Sequence, residues 1–223
     1  MKRGLSVLVL WFFAVANITS AELPHQSGSR DAVAEKEARA LNDLAAGLLN
    51  EGKLDQAIEL FSKAIIRDPN SAFAFYNRGT AYALRMDLDQ AIEDYSDALR
   101  VDPDFALAFM NRGVAYSIQN KLADALKDLN KAIELEPRKV DGYYNRALVF
   151  TKLGQLAEAV KDYTTAIQLS NRDIELYLSR AQVWERLNQL DKAIADYGSV
   201  LALQPANDQA LRRLTELAAQ RSR

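Results

Sequence analysis

The stretch Ala72-Phe73-Ala74-Phe75-Tyr76-Asn77-Arg78-Gly79-Thr80-Ala81-Tyr82, followed by Ala91-Ile92-Glu93-Asp94-Tyr95, then Ala98-Leu99 and Pro103, decides the fold. Displaced by 34 residues, it falls on itself: Phe75 lands on Phe109, Tyr143 and Tyr177, and Ala91 on Ala57, Ala125, Ala159 and Ala193. A fixed period of this length marks a repeat array, in which each unit is one supersecondary element that buries its apolar face only against neighbours. Phe75, Arg78, Gly79 and Tyr82 recur at helical spacing, as do Ala91, Tyr95 and Ala98. Two helices per unit, with facing stripes, are therefore predicted.

Working outward, five units run 38–71, 72–105, 106–139, 140–173 and 174–207. Ala45, Gly79, Gly113, Ala147 and Ala181 stand opposite the five recurring alanines, where small side chains let two helices approach. Beside them, Leu48, Tyr82, Tyr116, Phe150 and Trp184 on the first helices and Phe61, Tyr95, Leu129, Tyr163 and Tyr197 on the second are expected in the core. Pro69, Pro103, Pro137 and Pro205 close the second helices, with Asn171 in that place in the fourth unit. The turn inside each unit carries Gly52, Met86, Asn120, Gly154 or Asn188; if this site needs positive φ, Met86 is strained. Residues 208–223 are predicted to form a capping helix, with Leu211, Leu214 and Leu217 at helical spacing and Arg212, Arg213, Arg221 and Arg223 exposed.

The order of large residue, small residue, Tyr, Ala, aromatic and closing Pro resembles the tetratricopeptide repeat over 170 of the 223 residues. The resemblance implies an all-α fold, a right-handed superhelical solenoid of antiparallel helix pairs whose first helices line a concave groove. Candidate groove residues are Asn77, Asn111 and Asn145, in register with Asp43 before them and Ser179 after. A ladder of amides, each both donor and acceptor, suits the backbone of an extended peptide. Phe73, Tyr76, Leu107, Met110, Tyr144 and Leu178 are expected to give the groove an apolar floor, and Asp141, Glu175 and Glu185 an acidic far end. Chaperone-binding members hold a terminal carboxylate with five Lys, Asn and Arg residues; only Asn77 matches that set here.

A charge pair is written into the repeats. The seventh residue of units two to five is Arg78, Arg112, Arg146 or Arg180, and the twenty-third is Asp94, Asp128, Asp162 or Asp196; in the first unit both are leucines, Leu44 and Leu60. Charges that appear together and vanish together point to contact between the two helices, and we read them as structural ion pairs within each unit.

Composition bounds the function. A net charge of −2 without a basic stripe speaks against nucleic acid. The chain has no cysteine, so it has no disulfide, thiolate nucleophile or Cys-based zinc site. Its single histidine, His25, lies in the polar lead Glu22–Arg30, far from any second ligand. With no phosphate-cradling glycine loop either, we expect no enzyme, catalytic residue, metal or cofactor. Met1–Ala21 carries Lys2 and Arg3, the apolar Leu5–Ala16 and then Thr19-Ser20-Ala21, which resembles a secretory signal peptide cut after Ala21. The apolar run is shorter than the roughly 20 residues that span a bilayer, so the processed chain is not expected to be an integral membrane protein. Residues 22–37 are expected to form a flexible lead and the start of a helix. The reading is an exported adaptor, secreted or periplasmic, that holds a peptide segment of another protein in its groove. The alternative is a structural, self-assembling envelope component that uses convex or terminal faces as a homo-oligomer.

Overall fold

The computed structural model describes residues 31–221, and these residues are all-α. The expected signal peptide, the lead with His25, and Arg223 lie outside the described residues. Helices α1 (Asp31–Asn50) and α2 (Leu54–Arg67) form the first pair, α3 (Ala72–Leu84) and α4 (Leu88–Val101) the second, and α5 (Ala106–Ile118) and α6 (Leu122–Leu135) the third. Together they make one compact block. A second block begins after Leu135. It holds the pairs α7 (Val140–Lys152) with α8 (Leu156–Leu169) and α9 (Ile174–Arg186) with α10 (Leu190–Leu203), then the single helix α11 (Asp208–Arg221). The helices of each pair are antiparallel.

Each pair is folded over by the same turn. Gly52 N–H donates to the Leu49 carbonyl at 3.0 Å and Lys53 N–H to the Leu48 carbonyl at 2.9 Å, two crossed bonds that cap the first helix through a left-handed residue. The same two bonds recur at Met86 with Asp87, Asn120 with Lys121, Gly154 with Gln155, and Asn188 with Gln189. All five turn residues have positive φ, including Met86 at 69°. Second helices end two residues before Pro69, Pro103, Pro137, Asn171 and Pro205. At the next start, Ser71 accepts from the Ala74 N–H at 3.3 Å and Asp173 from the Glu175 N–H at 3.0 Å, which satisfies amides the helix leaves open.

Within pairs the crossing is close because its residues are small. A Cβ on Gly79 would stand 3.0 Å from the Tyr95 ring, and one on Gly113 3.0 Å from Leu129 Cγ. Phe61, Tyr95, Leu129, Tyr163 and Tyr197 are fully buried opposite them. Their first-helix counterparts Leu48, Tyr82, Tyr116, Phe150 and Trp184 are half-buried, and all but Tyr116 pack against the core clusters at their edge. They lie one turn before the helix end, where ring faces also meet cations, as with Arg85 over Tyr82 at 5.3 Å and Lys192 over Trp184 at 4.3 Å.

The ion pairs form in all four places. Arg78 Nε and Nη2 bond the two Asp94 oxygens at 2.8 and 2.7 Å; Arg112 with Asp128, Arg146 with Asp162 and Arg180 with Asp196 repeat the bidentate fork at 2.7–2.9 Å. Every one of these aspartates is buried. A third arm escapes the sequence reading: the remaining Nη1 donates backward, from Arg78 to Ser62 Oγ at 3.0 Å, from Arg112 to Ser96 Oγ at 2.9 Å and from Arg180 to Thr164 Oγ1 at 2.9 Å. Arg78, Arg112 and Arg180 thus each tie their own pair shut and tie that pair to the one before it. An aromatic one turn earlier (Phe75, Phe109, Tyr143 or Tyr177) lies 5.6–6.0 Å under the guanidinium.

Helix α11 docks differently from expectation. Ala210 and Leu217 are buried while Leu211 is 45% exposed, because steps of four and three from 210 through Leu214 to 217 hold one side of a helix and 211 stands about 100° off it. Arg213 is not a free surface arginine; it is ion-paired with both Glu185 on α9 and Glu216. No helix among the described residues is long and apolar enough to cross a membrane.

Candidate interaction site

The site expected from the sequence lies on the first helices, and the structure covers most of it. Asn77 is 2% exposed, and its Nδ2 donates to Asn42 Oδ1 on α1 at 3.0 Å. Asn111 is fully buried, and its Nδ2 donates to the Tyr76 hydroxyl at 3.2 Å. Asn145 is buried as well. In the N-terminal block, then, the amides do not stand on a free face: they reach back about one repeat to the preceding first helix and hold the two helices in register. Tyr76, Met110 and Leu178 are likewise buried. The Tyr76 ring is wedged against Phe105 at 5.0 Å and Tyr95 at 5.8 Å. The Tyr76 ring thus lies between its own pair and the start of the next, and stacking these two pairs removes it from solvent.

What remains accessible is narrower. Phe73 and Leu107 occupy the same register position in α3 and α5, and both are half-buried against the core of the N-terminal block. The Phe73 ring rests edge-on against Phe105 at 5.2 Å, so it is held in place rather than free to collapse. In the C-terminal block Tyr144 is half-buried on α7, with its ring 6.0 Å from that of Tyr163.

Beside Tyr144 lie three carboxylates. Burial raises the Glu175 pKa, the nearby Asp173 charge adds to that, and a hydrogen bond from Ser179 only partly offsets them. Burial raises Asp141 too, against the pull of Lys139. A carboxylate held above its ordinary range is short of positive charge nearby, and a cation brought to it is favoured. Glu185 departs from the expected acidic trio. Burial alone pushes its pKa up, but hydrogen bonds from Arg213 and from the Tyr197 hydroxyl at 2.6 Å outweigh burial and lower it. It is committed to anchoring α11. The sequence signal for this was one arginine among the four noted at the C-terminus, and Asp173 was not singled out in the sequence.

Among the described residues no group of three or more His, Cys, Asp or Glu is placed to hold a metal ion. What the first helices offer is shaped apolar contact in one block and negative charge in the other.

Stacked helix pairs of this construction define a scaffold for protein–protein interaction. Residues 72–105 and 140–173 match the family described as Tetratricopeptide repeat, residues 38–71 a second family of the same description, and residues 115–154 a family described as TPR repeat. Together the matches span more than half of the chain, which belongs to the tetratricopeptide-repeat proteins. No curated protein matches it by sequence. Among solved structures it is similar to MamA, residues 41 to the end, from Desulfovibrio magneticus RS-1, with a TM-score of 0.71 and 19% identity over 77% of this chain and 97% of that one. It is also similar to PilF of Pseudomonas aeruginosa, with a TM-score of 0.75 and 23% identity over 85% and 86% of the two chains. A third is YrrB, described as a TPR protein with an unusual peptide-binding site, with a TM-score of 0.66 and 19% identity over 83% and 98%. Likeness at these identities shows the fold alone.

Proposed function

We propose that this chain is an exported adaptor that holds a segment of another protein against its first-helix faces. The observation that carries the reading is the pairing of Phe73 and Leu107, two large apolar side chains left half open at one register position over a rigid base. An apolar side chain of a ligand would seat there. Tyr76, Asn77, Met110 and Asn111 beneath them shape that base rather than touch the ligand directly. In the C-terminal block, where Asn145 and Leu178 are buried, Asp141, Asp173 and Glu175 beside Tyr144 favour a basic side chain. Both patches act by recognition, without a cofactor or catalysis.

Export rests on Lys2, Arg3, the run Leu5–Ala16 and the small residues before Glu22, and places the mature chain in the periplasm or outside the cell. Subcellular fractionation, with mass spectrometry of the purified N-terminus, tests it: a cytoplasmic chain that begins at Met1 rejects export.

Affinity capture from the native extract tests the site. The chain as processed is compared with Phe73→Ala/Leu107→Ala and with Asp141→Asn/Glu175→Gln. We expect one set of proteins to be lost from at least the first variant while helicity and melting temperature persist. Equal recovery on all three baits rejects binding at these faces.

A further inference from the structure

The first helix pair breaks the rule that the others keep. At the third and tenth residues of their units, Ala74 and Ala81 on α3, Ala108 and Ala115 on α5, and Leu176 and Val183 on α9 are at most 1% exposed, because that side of the first helix lies on the preceding pair. The same positions of α1 are Ala40 and Gly47, and both are exposed. Between them Leu44 stands 59% exposed at the place of the buried-pair arginines, with half-buried Leu60 on α2 at the place of their aspartates. Among the described residues, α1's own nearby backbone apart, no atom lies within 4 Å of where a Gly47 Cβ would be, so none of their side chains requires glycine there. Inside a helix glycine is less favourable than alanine.

The terminal unit of an array is expected to turn a polar face outward. Helix α11 does so at the other terminus, with Arg212, Thr215 and Glu216 exposed. The first pair presents leucine where every later pair has charge. We infer that the α1–α2 face around Leu44, Gly47 and Leu60 is the seat of a second copy of this chain, the two meeting by the same face about a twofold axis. A twofold contact sets a patch against itself, and leucines with a glycine suit that, whereas an arginine at the centre would face its own charge. The rim carries both signs, in the pairs Glu59 with Lys63 and Glu37 with Arg67, and so is self-complementary as well. The face is of the same kind that successive pairs already bury, shaped for a packed helix. The chain's own N-terminus is a poor cover: once residues 1–21 are removed, a step that rests on the proposed export, Leu23 is the sole large apolar side chain among residues 22–30.

The test uses the full-length gene with a C-terminal tag, the product purified as the cell processes it, and sedimentation velocity across concentration. Wild type is expected to dimerise. Leu44→Arg/Leu60→Asp writes into the first pair the ion pair of the other four, so the helices stay paired, and it is expected to weaken association roughly a hundredfold or more by placing charge in the interface. Leu211→Arg, on α11, is expected to leave the dimer intact. A wild type that stays monomeric up to its solubility limit overturns the inference, as does a dimer that survives the double substitution or dissolves with Leu211→Arg. Captured proteins should be unchanged by Leu44→Arg/Leu60→Asp, so the dimer and the ligand site stand or fall separately.

Discussion

Met86 holds a φ of 69° where Gly52 and Gly154 hold 73° and 74° for the same turn. A left-handed conformation costs a residue with a Cβ about 1–2 kcal/mol, and glycine at this site costs about 0.4–1 kcal/mol through the freedom it adds to the unfolded chain. Met86 is 43% exposed, so little packing is lost with its side chain. Met86→Gly should therefore leave thermal stability unchanged or raise it; a clear fall in melting temperature would show that the side chain supports the turn in some other way. Asp128 is the opposite kind of residue, 2% exposed and forked by Arg112. Removing it alone should cost about 3–5 kcal/mol, since Arg112 is left half-buried and unpaired, while Arg112→Leu/Asp128→Leu should cost much less. Urea denaturation of both single variants and the double one checks this, and additive losses would contradict the coupling. The pairing was legible because Leu44 and Leu60 replace both charges at once. The third arm was not, since a hydroxyl on a helix is commonplace. Yet a signal was there: a polar residue, Ser62, Ser96, Asn130 or Thr164, stands sixteen before each arginine, and Gly198 stands sixteen before Leu214.

At the scale of the element, α11 is held by two buried apolar residues and one electrostatic anchor, so its attachment depends on pH. The Glu185 pKa is lowered in the folded chain by Arg213 and Tyr197 against the effect of burial. A lowered carboxylate stabilises above its unfolded value, about 4.3, and that stabilisation is lost as pH falls through the lower folded value. Hydrogen exchange of the α11 amides should thus accelerate, relative to those of α10, as pH drops below about 4. In Glu185→Gln the ratio should be high already at neutral pH and flat below it. Wild-type protection that ignores pH in that range would remove Glu185 as the anchor. Asp141 and Glu175 work with the opposite sign: burial raises them, so their protonation as pH falls favours the folded state, and that is why the test compares two helices rather than total stability. The sequence placed α11 and its inner residues Leu214 and Leu217, but it counted the exposed Leu211 with them and missed Ala210, whose burial depends on a neighbour. The burial of the asparagines was illegible for a related reason. Helical periodicity says which residues share a side of α3 or α5, whereas the way one pair leans on the next decides whether that side stays open.

At the scale of the whole molecule, a 34-residue period made the division into helix pairs legible before any coordinates, because each pair repeats one local solution. What the period could not carry is how strongly one pair is tied to the next. In the N-terminal block part of that tie, beside the amide bonds and the packing, is a pair of short links, each made by one arginine to the hydroxyl behind it and sharing no residue with the other: Ser62 with Arg78, and Ser96 with Arg112. Such an array gains stability as a sum of units and nearest-neighbour contacts. Ser62→Ala and Ser96→Ala each remove one hydrogen bond to a charged group and should each cost about 1.5–3 kcal/mol at most, less where water replaces the hydroxyl. Because the two links have no partner in common, the double variant should lose the sum of the two within about 0.5 kcal/mol in urea titration. Ser62→Ala combined with Arg78→Leu should instead fall well short of its sum, since the arginine that used the hydroxyl is gone. If the two serines proved strongly non-additive, the links would have to be coupled through the helices between them, and stability in the N-terminal block would not be a nearest-neighbour property.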